Sequence, residues 1–189
     1  LLLCLSLRFC NWWYHDKHID FDWKHIFWLP YKVARDTDLQ SFQYQVLNRY
    51  IACKNNLFKW GKEQNSNCPM CNKIDTIEHL LFTCTDTKKF WNEFNTWWFE
   101  SMNFAIKLSI VDIIFGIQND MNDKLIDVLN FCILFAKYYI YKCRYKDTKS
   151  NINSYKMILK ERVEMERYIA TMTDTLVAFM QHWGRLCEL

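Results

Sequence analysis

The stretch Cys68-Pro69-Met70-Cys71-Asn72-Lys73-Ile74-Asp75-Thr76-Ile77-Glu78-His79-Leu80-Leu81-Phe82-Thr83-Cys84 decides the reading of this chain. It sets three cysteines and one histidine at the spacing C-x2-C-x7-H-x4-C. Two thiolates two residues apart can grip one ion from a single tight turn. A histidine near the start of a short helix and a cysteine just beyond it then close a tetrahedron. Three sulfurs and one imidazole saturate the coordination shell of zinc and leave no position for an attacking water, which marks a structural ion rather than a catalytic one. The spacing predicts one structural zinc on Cys68, Cys71, His79 and Cys84, a CCHC knuckle. Cys-x-x-Cys by itself also suits a redox pair, but that chemistry wants a strand-to-helix setting that these flanks do not supply. A chance grouping of thiols would not be expected to include a histidine at zinc-like spacing.

The other cysteines support this. Cys4, Cys10, Cys53, Cys132, Cys143 and Cys187 are scattered through apolar or helical-looking stretches, and the total of nine is odd. A fully paired disulfide framework is therefore not expected, and one cluster among lone buried-type thiols reads as an intracellular zinc protein.

Outward from the knuckle the chain reads as helical. Hydrophobic residues make up 51% of the 189, with only 3 Gly and 2 Pro, so there is material for a core and little punctuation for strands. Asp22 starts a short helix that Pro30 is expected to end. Asp36 or Thr37 caps a second, with Leu39, Phe42, Val46, Leu47, Tyr50 and Ile51 on one face until Asn55-Asn56 breaks it, and Gly61 is a stop after Trp60. Asp75 or Thr76 caps a short helix carrying His79. Asp86 opens the next, with Phe90, Trp91, Phe94, Trp97 and Trp98 read as core. Ser109 caps Ile110 to Phe115, which Gly116 breaks. Asn122 or Asp123 opens a long helix to about Tyr145, and a last one runs from Ser154 toward His182 or Trp183, with Met165 and Met172 read as packing residues. The expected fold is all-α, with the zinc knuckle embedded between helices.

The net charge of +3 is mildly basic and does not by itself point to nucleic acid. The local pattern says more. Arg49, Lys54, Lys59 and Lys62 approach the knuckle, and Lys73, Lys88 and Lys89 lie within it or just after it; these are candidate phosphate contacts, with solvated helix faces as the alternative. Trp60 or Phe82 can stack on an unpaired base. Lys137, Lys142, Arg144, Lys146 and Lys149 form a second basic group. His15, Asp16, His18, Asp20, Asp22 and His25 alternate acids and histidines in a way that can bind metal, though a solvated polar-aromatic segment fits them better. The most apolar run, Val128 to Tyr141, is too short for a membrane span and contains Lys137. The opening Leu1-Leu2-Leu3-Cys4-Leu5-Ser6-Leu7 lacks the flanks of a signal peptide and reads as the interior of a longer frame.

The string from Cys68 to Cys84, with Thr76-Ile77-Glu78-His79-Leu80 around the histidine, Phe90-Trp91 shortly after the last cysteine and Trp97-Trp98 beyond, resembles the zinc-binding region that follows the polymerase domain in LINE-like, non-LTR retrotransposon reverse transcriptases. Phe42-Gln43-Tyr44-Gln45-Val46-Leu47-Asn48-Arg49 resembles a helix of the same family, with Gln45 where that family usually has Lys. Ile113 to Gly116 and Ala136 to Tyr141 resemble the helical tail of fish and invertebrate elements. The resemblance covers about residues 20 to 170.

It implies an aromatic lead-in over 1–30, the zinc-binding domain over 31–102 and a helical tail over 103–189. It also implies nuclear or cytoplasmic residence, with RNA or target DNA and the upstream polymerase domain as partners, and no membrane or small-molecule substrate. The catalytic palm of such enzymes holds its metal ions on a paired Asp-Asp, and no such pair occurs in this chain, so a non-catalytic role is expected. A zinc-stapled module that docks on the polymerase body, and a truncated relic of such an element, are the alternatives.

Overall fold

A computed structural model describes residues 21–118 and 124–187. Eight α-helices and one π-helical turn make up the described structure: α1 (Trp23–Val33), α2 (Thr37–Leu47), α3 (Lys54–Lys59), the π turn (His79–Thr83), α4 (Thr85–Met102), α5 (Ile110–Phe115), α6 (Lys124–Tyr145), α7 (Ile152–Met172) and α8 (Leu176–Cys187). Among the described residues there is no strand, only an isolated antiparallel bridge between Asn67 and Ile74. The fold is all-α with the cysteine–histidine cluster set between helices, as the sequence predicts.

α6 runs through the middle. Every residue from Asp127 to Lys137 is buried, and its polar members Asp127, Asn130 and Lys137 meet Lys32, the Ile117 peptide and Gln43. α1 and α2 pack on one side of it, and α7, α8, α5 and the π turn on others. Tyr155 of α7 is wholly buried and sits among the rings of Phe90, Phe94 and Trp97 of α4 and Phe135 and Tyr139 of α6. Its hydroxyl donates to the carbonyl of Cys132 at 2.9 Å, so the one polar atom it brings inside is satisfied. The five aromatics assigned to the core of α4 are all buried.

The caps are mostly where the sequence puts them. Asp22 Oδ1 accepts from His25 N–H, and Asp36 Oδ1 from Asp38 N–H. Ser109 and Asp112 form a reciprocal capping box at α5. Gly116 is required where it stands: its φ is +84°, and a Cβ there would meet Leu29 Cδ2 at 2.2 Å. That close approach lets Asn130 of α6 bracket the next peptide, accepting from Ile117 N–H at 2.7 Å and donating to Ile117 C=O at 3.0 Å.

Several expectations are corrected. Pro30 lies inside α1, which continues to Val33; the buried proline ring packs in the core, and one lost backbone hydrogen bond is tolerated there. α2 stops at Leu47, because Arg49 takes a left-handed φ of +57° and turns the chain, leaving Tyr50 exposed and Ile51 buried. Asn55 and Asn56 sit within α3 instead of breaking a helix. α4 begins at Thr85 with Cys84 in the N-cap position, and Asp86 instead accepts from the backbone N–H and hydroxyl of Ser150.

The last helix is two. Asn151 caps α7, and α8 follows a turn at Thr173–Asp174 where Asp174 has φ +56°. Met165 and Met172, read as packing residues, are exposed, because the buried face of α7 is carried by Tyr155, Leu159, Val163 and Ala170. Asn122 and Asp123, expected to open α6, lie outside the described residues, as do His15, Asp16, His18 and Asp20. No described helix is long and apolar enough to cross a membrane.

Candidate metal centre

The site is built from two backbone devices. The first is the turn carrying Cys68 and Cys71. Cys68 N–H donates to Lys73 C=O at 2.7 Å, and Asn72 N–H donates back to Cys68 C=O at 2.8 Å. Asn72 takes a φ of +58°, which asparagine tolerates better than most side chains. Met70 N–H points at Cys68 Sγ at 3.4 Å. The second is the π turn. Thr76 Oγ1 accepts from His79 N–H at 3.1 Å at the entrance, and Cys84 N–H donates to His79 C=O at 2.9 Å at the exit. That five-residue hydrogen bond widens the turn and lets Cys84 face back toward the histidine. Leu80 and Leu81 anchor the turn in the core, and their carbonyls accept from Thr87 Oγ1 and Trp91 Nε1 on α4.

The four predicted ligands converge. Cys71 Sγ lies 3.1 Å from His79 Nε2, Cys68 Sγ 3.8 Å from Cys84 Sγ, and Cys84 Sγ 4.0 Å from Cys71 Sγ. All four ligand atoms lie within 4.8 Å of one another. A zinc tetrahedron with bonds of about 2.3 Å to sulfur has edges near 3.8 Å, so the set fits one ion. Thr83 Oγ1 is 3.3 Å from His79 Nδ1. The tautomer in which Nδ1–H donates to that hydroxyl leaves the Nε2 lone pair for the metal.

Electrostatics favour the ligand forms unevenly. Burial lowers the pKa of His79, which keeps the imidazole neutral and able to coordinate. Burial works against the Cys84 thiolate. It is outweighed by a hydrogen bond and the charge of Arg144 and by the N–H groups of Asp86 and Thr87, so this thiol is lowered. For Cys68 burial prevails and pushes the thiol up to about 11; here the charge of the ion itself must drive the proton off.

Two residues that sequence reasoning did not assign to the site complete it. Arg144, from the last turn of α6, is 5% exposed, and its Nη1 donates to Cys68 Sγ and to Asp75 Oδ1, the latter at 3.2 Å. Asp75 is fully buried, and its other oxygen accepts from Lys54 N–H at the start of α3. Asp75 thus holds Arg144 and α3, and of the two cap residues expected, Asp75 or Thr76, it is Thr76 that caps the turn. A single acidic residue inside the loop was a faint signal. Arg144, sixty residues beyond Cys84, gave none.

The candidate contact residues divide. Lys59, Lys62, Lys73, Lys88 and Lys89 are exposed. Arg49 pairs with Glu78 and Lys54 with Glu63. In the second basic group, Lys137 and Arg144 are buried and cannot form part of a surface, because the core of α6 encloses one and the cluster the other. Lys137 donates to Gln43 Oε1 at 2.6 Å, with no carboxylate partner among the described residues, and burial brings its pKa down to about 7. Trp60 is 40% exposed, with its ring 4.8 Å from that of Tyr50, whereas Phe82 is half-buried against the core.

Residues 10–91 match the family described as zinc-binding in reverse transcriptase. All four ligands fall inside the match, and α5 to α8, with Arg144, fall outside it. No curated protein and no solved structure matches the chain.

Proposed function

We propose that this chain is a non-catalytic zinc-binding segment of a LINE-like retrotransposon reverse transcriptase, and that its zinc positions a surface for RNA or target DNA. The observation that carries the reading is that Lys73 inside the ligand loop and Lys88 just after its last cysteine, with Lys59 at the end of α3, are exposed and without an ion pair among the described residues, next in sequence to a cluster that fits zinc within the matched segment. Lys62 is also exposed, and Lys89 has only a 3.8 Å contact with Glu93. Such lysines supply phosphate affinity without sequence choice. The exposed Tyr50–Trp60 ring pair beside Lys59 and Lys62 offers an unpaired base a stacking face. Zinc acts here as a staple. It fixes the loop between α3 and α4, and with it the direction in which Lys73 projects beside Lys88 at the start of α4.

The test is binding of the full chain to single-stranded RNA and to nicked DNA across a salt series. Replacing Lys73, Lys88 and Lys89 together by Ala should leave zinc content and melting unchanged and flatten the salt slope by about 2–3. Equal binding at low salt by wild type and variant would remove the surface from consideration.

A second reading, docking on the polymerase body, is favoured by an exposed groove of about 780 Å³ lined by Trp23, Phe27, Trp28, Tyr31 and Tyr44. Tight association with a polymerase domain that is insensitive to salt and lost in Trp28→Ala would support it.

A further inference from the structure

Three thiolates outnumber the charges of one zinc ion, so an occupied Cys3His site is net negative. Cys68, His79 and Cys84 are buried here. An anion withdrawn from water needs a cation or a set of N–H donors beside it. Lys54 and Arg49 are engaged by Glu63 and Glu78, and Lys73 projects into solvent. The buried cation at the cluster is Arg144. Its Nη1 reaches the Cys68 sulfur and Asp75 at once, and Asp75 is itself held by the Lys54 N–H. The guanidinium is therefore aimed at the thiolate from both ends: α6 delivers it, and the loop carboxylate orients it.

We infer that Arg144 is a positioning residue of the zinc site, supplying an N–H···S hydrogen bond and a compensating charge to Cys68. The functional zinc unit therefore extends beyond the matched segment to the end of α6. Zinc binding and the docking of the α6 C-terminus on the loop are then linked, each strengthening the other. The segment that ends at residue 91 carries every ligand but lacks the group that neutralises them.

The experiment uses the full chain, with zinc affinity read by competition with a chromophoric chelator and the site geometry by the absorption of the cobalt(II)-loaded protein. Arg144→Met should weaken zinc binding by about tenfold or more, the usual scale for an outer-shell partner, and move the sulfur-to-cobalt charge-transfer band. Arg144→Lys should fall between it and wild type, since an ammonium keeps the charge, but on a shorter side chain that does not bring an N–H to the place where Nη1 meets both Cys68 and Asp75. Leu159→Ala, a core truncation in α7, is the control for general loosening and should leave both readouts at wild-type values.

Wild-type affinity and spectrum in Arg144→Met overturn the inference, as does an equal loss in Leu159→Ala. If the Met variant does not fold, Arg144→Lys decides alone: a severalfold loss supports the inference and an unchanged affinity overturns it. Absence of metal from the wild type would instead overturn the zinc site itself, an outcome visible before any variant is compared.

Discussion

Residues 62–76 and α4 stand on either side of the π turn and are ordered by different physics. In the loop only Cys68 and Asp75 are buried. In α4 seven residues are buried, five of them aromatic. Fixing a backbone costs about 1–2 kcal/mol per residue, and burial of two polar or weakly apolar groups cannot offset that over such a loop. α4 offsets it with aromatic area; the loop needs a ligand that binds the folded form alone. The same short stretch of chain thus contains a part that depends on metal and a part that does not, hinged at Leu80 and Leu81.

The largest expected effect separates the two. His79→Ala, or Cys71→Ser, should abolish the zinc, whose ligation contributes on the order of 10 kcal/mol in isolated knuckle-type sites. Hydrogen exchange should then show the amides of residues 62–76 and α3 unprotected while those of α4 and α6 stay slow. Loss of protection in α4 to the same extent would mean that the two regions form one cooperative unit. The converse variant is Phe94→Ala, at a fully buried ring. It should lower stability by about 3–5 kcal/mol, seen as a lower urea midpoint, with one zinc per chain retained in the native protein.

A smaller effect belongs to the core alone. Burial depresses the pKa of Lys137 from 10.5 to about 7 in the folded chain. Below pH 7 the ammonium is charged in both states and its burial opposes folding in full. Between pH 7 and 10.5 the unfolded chain binds more protons, so this group makes stability rise with pH. The urea midpoint should therefore climb from pH 7 to 8.5, and Lys137→Met should flatten that climb; parallel profiles would place the titration elsewhere. The smallest effect returns to the metal. Thr83→Val removes the acceptor for His79 Nδ1–H and should cost about tenfold in zinc affinity, roughly 1.4 kcal/mol, without moving the midpoint of the metal-free core. A chelator titration reads it directly.

Local rules account for the parts that were legible. The C-x2-C-x7-H-x4-C spacing identifies ligands because zinc accepts few donor types and the intervening turns have few geometries. The aromatic period of α4 and the Asp22, Asp36 and Ser109 caps are likewise properties of a few neighbouring residues. The reading failed where distant packing overrode local preference. Pro30 stays helical because the core holds it, Asn55 and Asn56 lie in α3 although their sequence suggests a break, and Met165 and Met172 face outward because Leu159 and Val163 take the inner face.

By itself, then, the sequence determined the helical class, the grouping of Cys68, Cys71, His79 and Cys84 and the aromatic core of α4, since each rests on residue types at short, fixed separations. Only the tertiary structure decided which cations are surface and which are interior. Lys137 and Arg144 stand in the same basic run as Lys142 and Lys146, and a helix of period 3.6 turns some of its charges inward regardless of their kind. Whether such a charge meets a carbonyl, a thiolate or water depends on which distant segment packs against that face.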